Sequence, residues 1–189
     1  MNSSIDAYLS SLDRKMFWMN RKTRKDILRE VKSHLSERIA AGESPETVIK
    51  SFGSADAVAK EYLRIYGFGA GFIFVLSAIT FLFSIFTVPG VLSLSYDYLG
   101  MDWGAMVFLV LTILIVLLTA YKGGRKAGVI AGAVGCVARF VVLGALILTG
   151  GAIVQDATLG AIGFALISIL LPVIGYLSSV KPIEREAGI

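Results

Sequence analysis

The feature that most constrains this chain is apolar sequence repeated too often for a soluble core. Residues 68–121 hold only two charged side chains, Asp97 and Asp102, and the apolar stretches Ala127–Val154 and Ala157–Val180 follow. A helix needs roughly 20 mostly apolar residues to cross ~30 Å of hydrocarbon. The region 67–180 divides into four stretches of about that size, near 69–91, 103–121, 127–150 and 157–178. A soluble core has no use for several such runs in succession, so the sequence predicts an integral membrane protein with four transmembrane helices. Pro89–Gly90 is placed to end the first span and Pro172 to kink the fourth, because proline removes an amide donor and crowds the preceding turn.

Charge is distributed just as unevenly. Residues 1–67 carry 12 Lys/Arg and nine Asp/Glu in a chain that is 56% hydrophobic as a whole. The 122–126 loop, KGGRK, has three cations, and the 181–189 tail adds Lys181 and Arg185. The loops 93–102 and 150–158 have none. Cationic loops stay on the cytosolic side. A multi-pass cell-membrane protein with both termini in the cytosol is therefore expected, and an even number of spans agrees. Trp103 and Tyr121 bracket the second span, where aromatic rings favour the interface. No cleavable leader is expected, since the first 67 residues are polar and lack an early apolar segment. The lone Cys136 permits no intramolecular disulfide and reads as a small packing residue.

Residues 1–66 form the polar part, with four short amphipathic helices. Ile5, Tyr8, Leu9, Leu12, Met16 and Met19 fall on one face of the first. Thr23-Arg24-Lys25-Asp26 has the form of a capping box and opens the second, which buries Ile27, Leu28, Val31, Leu35 and Ile39. Gly42 suits a left-handed cap. Ser44-Pro45-Glu46 starts a third helix that offers Val48, Ile49 and Phe52 and stops at Gly53. Ser54 caps a fourth that contributes Ala57, Val58, Tyr62 and Leu63. The fold class is all-α: a small cytosolic helical bundle followed by a four-helix transmembrane bundle.

Three groups of residues stand out as candidate sites. The stretch RKMFWMNRKTRK (14–25) has six Lys/Arg, no acid, and Phe17 and Trp18 in its middle. Arg14, Lys15, Phe17, Trp18, Arg21, Lys22, Arg24 and Lys25 suit docking on an anionic leaflet or simply a solvated, topology-setting face. Nucleic acid is not an expected partner, because the domain is only modestly basic and has no reading motif. Arg139 lies near the middle of the third span, where a central Arg costs about 2.5–3.5 kcal/mol unless it is partnered. The spans have no carboxylate for it, leaving carbonyls, Ser77, Ser84, Thr112, Ser168, a lipid or another chain. Small residues four apart, Gly128/Gly132 and Ala157/Ala161/Ala165, suit close helix packing, within the chain or in a homo-oligomer.

Catalysis is not expected. His34 is the only histidine, which excludes histidine clusters and triads within the chain. The carboxylates are scattered along helix surfaces, and KGGRK lacks the spacing of a phosphate loop. No catalytic, cofactor or metal site is predicted.

The segments YLSSL (8–12), KDILREVKSHLSE (25–37) and GESPETVIKSFGSADAVAKEY (42–62) together resemble the HAAS signalling domain, over about residues 5–64. Ile27, Leu28, Glu30, His34, Glu37, Gly42, Glu46, Phe52, Gly53 and Ala59 fall on its patterned positions. The chain departs from the pattern in having Met19-Asn20 and Ala55 where prolines are usual. A HAAS-like domain ahead of several spans also resembles the small membrane family DUF1700. The resemblance implies regulation through a cytosolic or membrane protein partner, often a PadR-like transcription factor. It points to Tyr8, Leu12, Glu30, His34, Glu37, Phe52 and Gly53 as the partner-binding pattern. A different reading makes the chain an accessory subunit of a larger membrane complex such as a transporter, with Arg139 paired to a carboxylate on another chain.

Overall fold

In the computed structural model, residues 3–88, 103–149 and 158–178 are described, and every regular element among them is an α-helix. In chain order these are α1 (Ser3–Lys15), α2 (Arg21–Ala40), α3 (Pro45–Phe52), α4 (Ala55–Tyr66), α5 (Ala70–Phe86), α6 (Trp103–Leu148) and α7 (Thr158–Leu177). The chain divides into two compact units, Met1–Phe72 and Ile73–Ile189. Pro89–Gly90, the 93–102 loop, most of the 150–158 loop, Ala157, Lys181 and Arg185 lie outside the described residues.

In the first unit α1 to α4 enclose one apolar core. Ile5, Tyr8, Leu12, Met16, Met19, Ile27, Val31, Leu35, Val48 and Ala59 are buried, and Leu28, Ile39, Ile49, Phe52, Val58, Tyr62 and Leu63 pack against them. These positions recur at helical spacing, so each helix turns one stripe inward. The inward face of α4 holds Ala55, Val58, Ala59, Tyr62 and Leu63, while Ala57 is exposed. The sequence assignment of Ala57 is therefore off by two positions: 55, 58, 59, 62 and 63 keep the helical period and 57 does not.

Local capping physics sets most helix ends. Ser44 Oγ accepts from the Thr47 amide and Ser54 Oγ from the Ala57 amide, both at 3.2 Å. Gly42, Gly53 and Gly67 have φ of 96°, 102° and 74°, where a Cβ would be strained. The start of α2 differs from the capping-box reading. Asn20, not Thr23, is the cap, with its Oδ1 accepting from the Lys22 amide at 2.9 Å. Asparagine caps at least as well as threonine, so the helix begins at the earlier of the two signals and Thr23 falls inside its first turn.

The first unit runs past Tyr66 to Phe72 because the chain there folds back on the α1–α2 turn. The Gly69 amide donates to the Trp18 carbonyl at 2.7 Å. A Cβ at residue 69 would lie 2.7 Å from the Asn20 nitrogen, so only glycine fits.

In the second unit α6 consists of two helices that meet at a single residue rather than through a five-residue loop. The KGGRK residues are helical except Gly124, whose φ of 79° and ψ of −176° break Trp103–Leu148 into two limbs. A single residue in the left-handed region is enough to interrupt the ladder, and only glycine adopts it freely. Among the described residues Trp103–Leu148 is the one helix long and apolar enough to cross a membrane, and residues 162–177 of α7 form a shorter apolar helix. α5 covers 17 residues, Ala70–Phe86, and residues 89–91 of the expected first span lie outside the described residues.

Polarity in this unit is inverted relative to the first. Ser77, Thr80, Ser84, Thr87, Thr112, Thr119, Arg139 and Ser168 are buried, while Phe74, Leu82, Val107, Val110, Leu114, Val141, Leu166 and Leu177 are exposed. The second limb of α6 meets α7 through glycine. A Cβ at Gly128 would lie 2.5 Å from the Gly175 carbonyl oxygen, and one at Gly132 would lie 2.5 Å from that of Leu171. Gly128 and Gly132 thus serve packing within the chain. The helix α7 continues through Pro172, which takes away the amide that would bond the Ser168 carbonyl.

Candidate functional site

The residues singled out in the first unit separate into an interior and a surface group. Tyr8 and Leu12 are buried. Tyr8 Oη donates to the Gly53 carbonyl at 3.1 Å, and its ring meets Phe52 edge-on at 6.3 Å. Burial, and secondarily the charge of Tyr62, push the Tyr8 phenol up from its ordinary value. The structure thus brings Tyr8, Phe52 and Gly53 together as a tie between α1 and the end of α3. Glu30, His34 and Glu37 lie elsewhere, on the exposed side of α2. His34 Nδ1 is 4.0 Å from Glu37, a contact that is ionic only when the ring is protonated. An open hollow of about 500 Å³ runs along this face, lined by Asp26, Arg29, Glu30, Ser33 and His34. It mixes both charges with neutral hydrogen-bonding groups, and Glu30 and His34 are both exposed along it.

A bidentate ion pair flanks the same face. Arg38 Nε donates to Glu43 Oε1 at 2.8 Å, Nη2 donates to Glu43 Oε2, and Nη1 donates to Ser51 Oγ at 2.7 Å. This fork ties the end of α2 to α3 and holds the Glu43 carboxyl below its usual range.

The basic stretch spans the α1–α2 turn. Lys15 Nζ pairs with Asp56 at 3.1 Å, and Arg24 Nε lies 3.0 Å from Asp13. The Arg24 guanidinium also sits 5.9 Å from the Phe17 ring centroid. Arg21, Lys22, Arg24 and Lys25 crowd the start of α2, whose first turn has no acid. That end of a helix carries partial positive charge, so the arrangement works against the stability of α2.

In the second unit Arg139 is 2% exposed. Its Nε donates to Ser168 Oγ at 2.8 Å and its Nη1 to Thr87 Oγ1 at 2.6 Å. Its Cζ lies 4.5 Å from the Phe164 ring centroid, within cation–π range. Ser168 was among the neighbours the sequence suggested. Thr112 instead bonds its own helix at Phe108, and the Ser77 and Ser84 hydroxyls are buried with no hydrogen-bond partner among the described residues. Thr87 and Phe164 were not anticipated. A signal for Thr87 was present, since Ser77, Thr80, Ser84 and Thr87 repeat at spacings of three and four, which carries one face of α5 on to the residue just past its end.

Among the described residues no three His, Cys, Asp or Glu side chains gather to hold a metal. A capped four-helix module with a polar, two-signed outer face has the makings of an interaction domain. Residues 7–61 match the model of the HAAS family, so the first unit carries a HAAS domain. No curated protein and no solved structure matches the chain.

Proposed function

We propose that this protein is a membrane-anchored regulator whose HAAS domain binds a protein partner at the cytosolic face. The observation that carries the membrane part is the inverted polarity of the second unit, with hydroxyls and Arg139 inside and Phe, Leu and Val outside. Water would penalise that exterior, whereas hydrocarbon favours it and penalises unpaired polar groups. The break at Gly124 divides α6 into limbs of spanning length, so with α5 and α7 the unit has material for four crossings. The cations of KGGRK at that break favour the cytosolic side for it and, with four crossings, for both termini. The arrangement is that of the DUF1700-type membrane proteins.

The partner reading rests on the match over 7–61 and on the exposed Glu30, His34 and Glu37 of α2. A PadR-like transcription regulator is the leading candidate. The accessory-subunit alternative loses its main support, because Arg139 is engaged by Ser168, Thr87 and Phe164 of its own chain.

A photo-crosslinking side chain at position 34 of the full chain, activated in intact cells, tests the reading. One discrete adduct with a cytosolic regulatory protein is expected, weakened by Glu30→Ala and Glu37→Ala. No adduct from position 34 or from other exposed α2 positions would exclude this face as the partner surface.

A further inference from the structure

The α1–α2 turn presents a surface that partner binding through α2 leaves unused. Phe17 is 63% exposed and Trp18 39% exposed. Their rings are nevertheless fixed, Phe17 against Trp18 at 5.2 Å and Trp18 against Phe72 at 5.8 Å, both edge-on. Of the six cations flanking them, Lys15 and Arg24 are held by Asp56 and Asp13. Arg14, Arg21, Lys22 and Lys25 are exposed and make no ion pair among the described residues. The turn is anchored where the polar module gives way to apolar helix, through the Gly69 amide bonded to the Trp18 carbonyl and the close approach of Gly69 to Asn20. One residue later α5 begins, with no charged side chain along its length.

We propose that this turn docks on the anionic leaflet of the membrane. Phe17 and Trp18 enter the headgroup region, and Arg14, Arg21, Lys22 and Lys25 meet lipid phosphates. The inference rests on the membrane reading above. Amphipathic rings favour the interface. Each basic side chain near an anionic surface raises the docked-to-free ratio about fivefold, an effect that salt screens. Charge complementarity and position together select lipid: the unpaired cations and exposed rings sit beside the residue at which the apolar helix starts. Docking would restrict how the HAAS domain is oriented, and so which of its faces a partner can reach.

The test uses the full chain with Trp103→Phe, which leaves Trp18 as the one tryptophan. It is placed in bilayer discs of phosphatidylcholine alone or with about a third phosphatidylglycerol. In the anionic discs alone, Trp18 emission should shift to the blue and be quenched by brominated lipid. High salt, or combined Arg14→Gln, Arg21→Gln, Lys22→Gln and Lys25→Gln, should reverse both effects while helical circular dichroism persists. The unsubstituted chain provides a second readout: acylation of Lys22 and Lys25 by a water-soluble reagent should slow at least fivefold in anionic discs. Identical Trp18 emission and identical acylation in both discs would overturn docking and leave the membrane reading standing. A response to soluble poly-glutamate but not to anionic lipid would assign the surface to an acidic protein and overturn the proposal. A chain that enters neither disc would overturn the membrane reading and docking together.

Discussion

Arg139 donates through Nη1 to Thr87 Oγ1 at 2.6 Å, joining residues 52 positions apart. Thr87 Oγ1 in turn donates to the Ser84 carbonyl at 2.7 Å, and Ser168 Oγ donates to the Phe164 carbonyl at 2.7 Å. Each hydroxyl spends its proton on its own backbone and offers lone pairs to the guanidinium. The charge is thus solvated by two hydroxyls and a ring face, without a carboxylate among these contacts. Thr87→Val and Ser168→Ala keep the shape but leave a charged donor short of an acceptor, at a cost of about 1.5–3 kcal/mol each. Arg139→Leu removes the charge and its demand together and should be close to neutral. Thermal unfolding in detergent should therefore rank Arg139→Leu as the more stable variant. The opposite ranking would mean that Arg139 binds something that stabilises the fold.

Helix contact through glycine leads to a second expectation. In Gly132→Ala the new methyl would sit 2.5 Å from the Leu171 carbonyl oxygen and the Pro172 Cα, which are backbone atoms that cannot turn aside. Overpacking of that kind costs about 1–3 kcal/mol or more. Gly144→Ala, in the same helix with nothing within 4 Å of the added methyl, should gain about 0.5–1 kcal/mol from helix propensity. Melting temperatures of the two variants measured side by side check the contrast.

The cations at the start of α2 oppose its dipole. Arg21→Glu should therefore stabilise the first unit, by about 0.3–1 kcal/mol at low salt. Chemical denaturation followed by circular dichroism measures the gain, which should fade as salt is added. Loss of stability would show that Arg21 makes a contact worth more than the dipole term.

Acid sensitivity should come from two carboxyls. Hydrogen bonds from Arg38 hold Glu43 below its ordinary value, and those from Lys60 and then Lys15 do the same for Asp56. A carboxyl with a depressed folded-state pKa binds fewer protons folded than unfolded. Its contribution is complete above the ordinary values of 4.5 and 3.8 and is lost as pH falls through the lowered ones. Both groups lie at the surface, so the effect is modest. Melting temperature should hold between neutrality and about pH 5, then decline. Glu43→Gln with Asp56→Asn should flatten that decline and lower the neutral-pH plateau.

Much of the first unit was legible in the sequence because its determinants are local. Ser44, Ser54, Gly42 and Gly53 act on amides or dihedrals within a few residues, and the core stripe of α1 and α2 follows from helical spacing alone. Asn20 and Thr23 are both adequate caps, and only the hydrogen bond from the Lys22 amide to Asn20 Oδ1 shows which of them starts the helix. The glycine pair and the charges of KGGRK are marks of a loop, yet the backbone breaks at Gly124 alone. The exposed Glu30, His34 and Glu37 and the buried Tyr8, Phe52 and Gly53 share a sequence pattern that cannot separate packing from recognition.

By itself the sequence determined the helical class, the boundary between a charged module and an apolar region, and the presence of a HAAS domain. Each follows from composition, period or motif within a short window, where one residue's preference is set by its neighbours. Only the tertiary structure decided that Arg139 is solvated by Thr87 and Ser168, that Gly69 must be glycine, and that Phe17 and Trp18 stay exposed beside the start of α5. Those outcomes depend on which atoms far apart in the chain come within bonding distance, and one-dimensional spacing does not encode that.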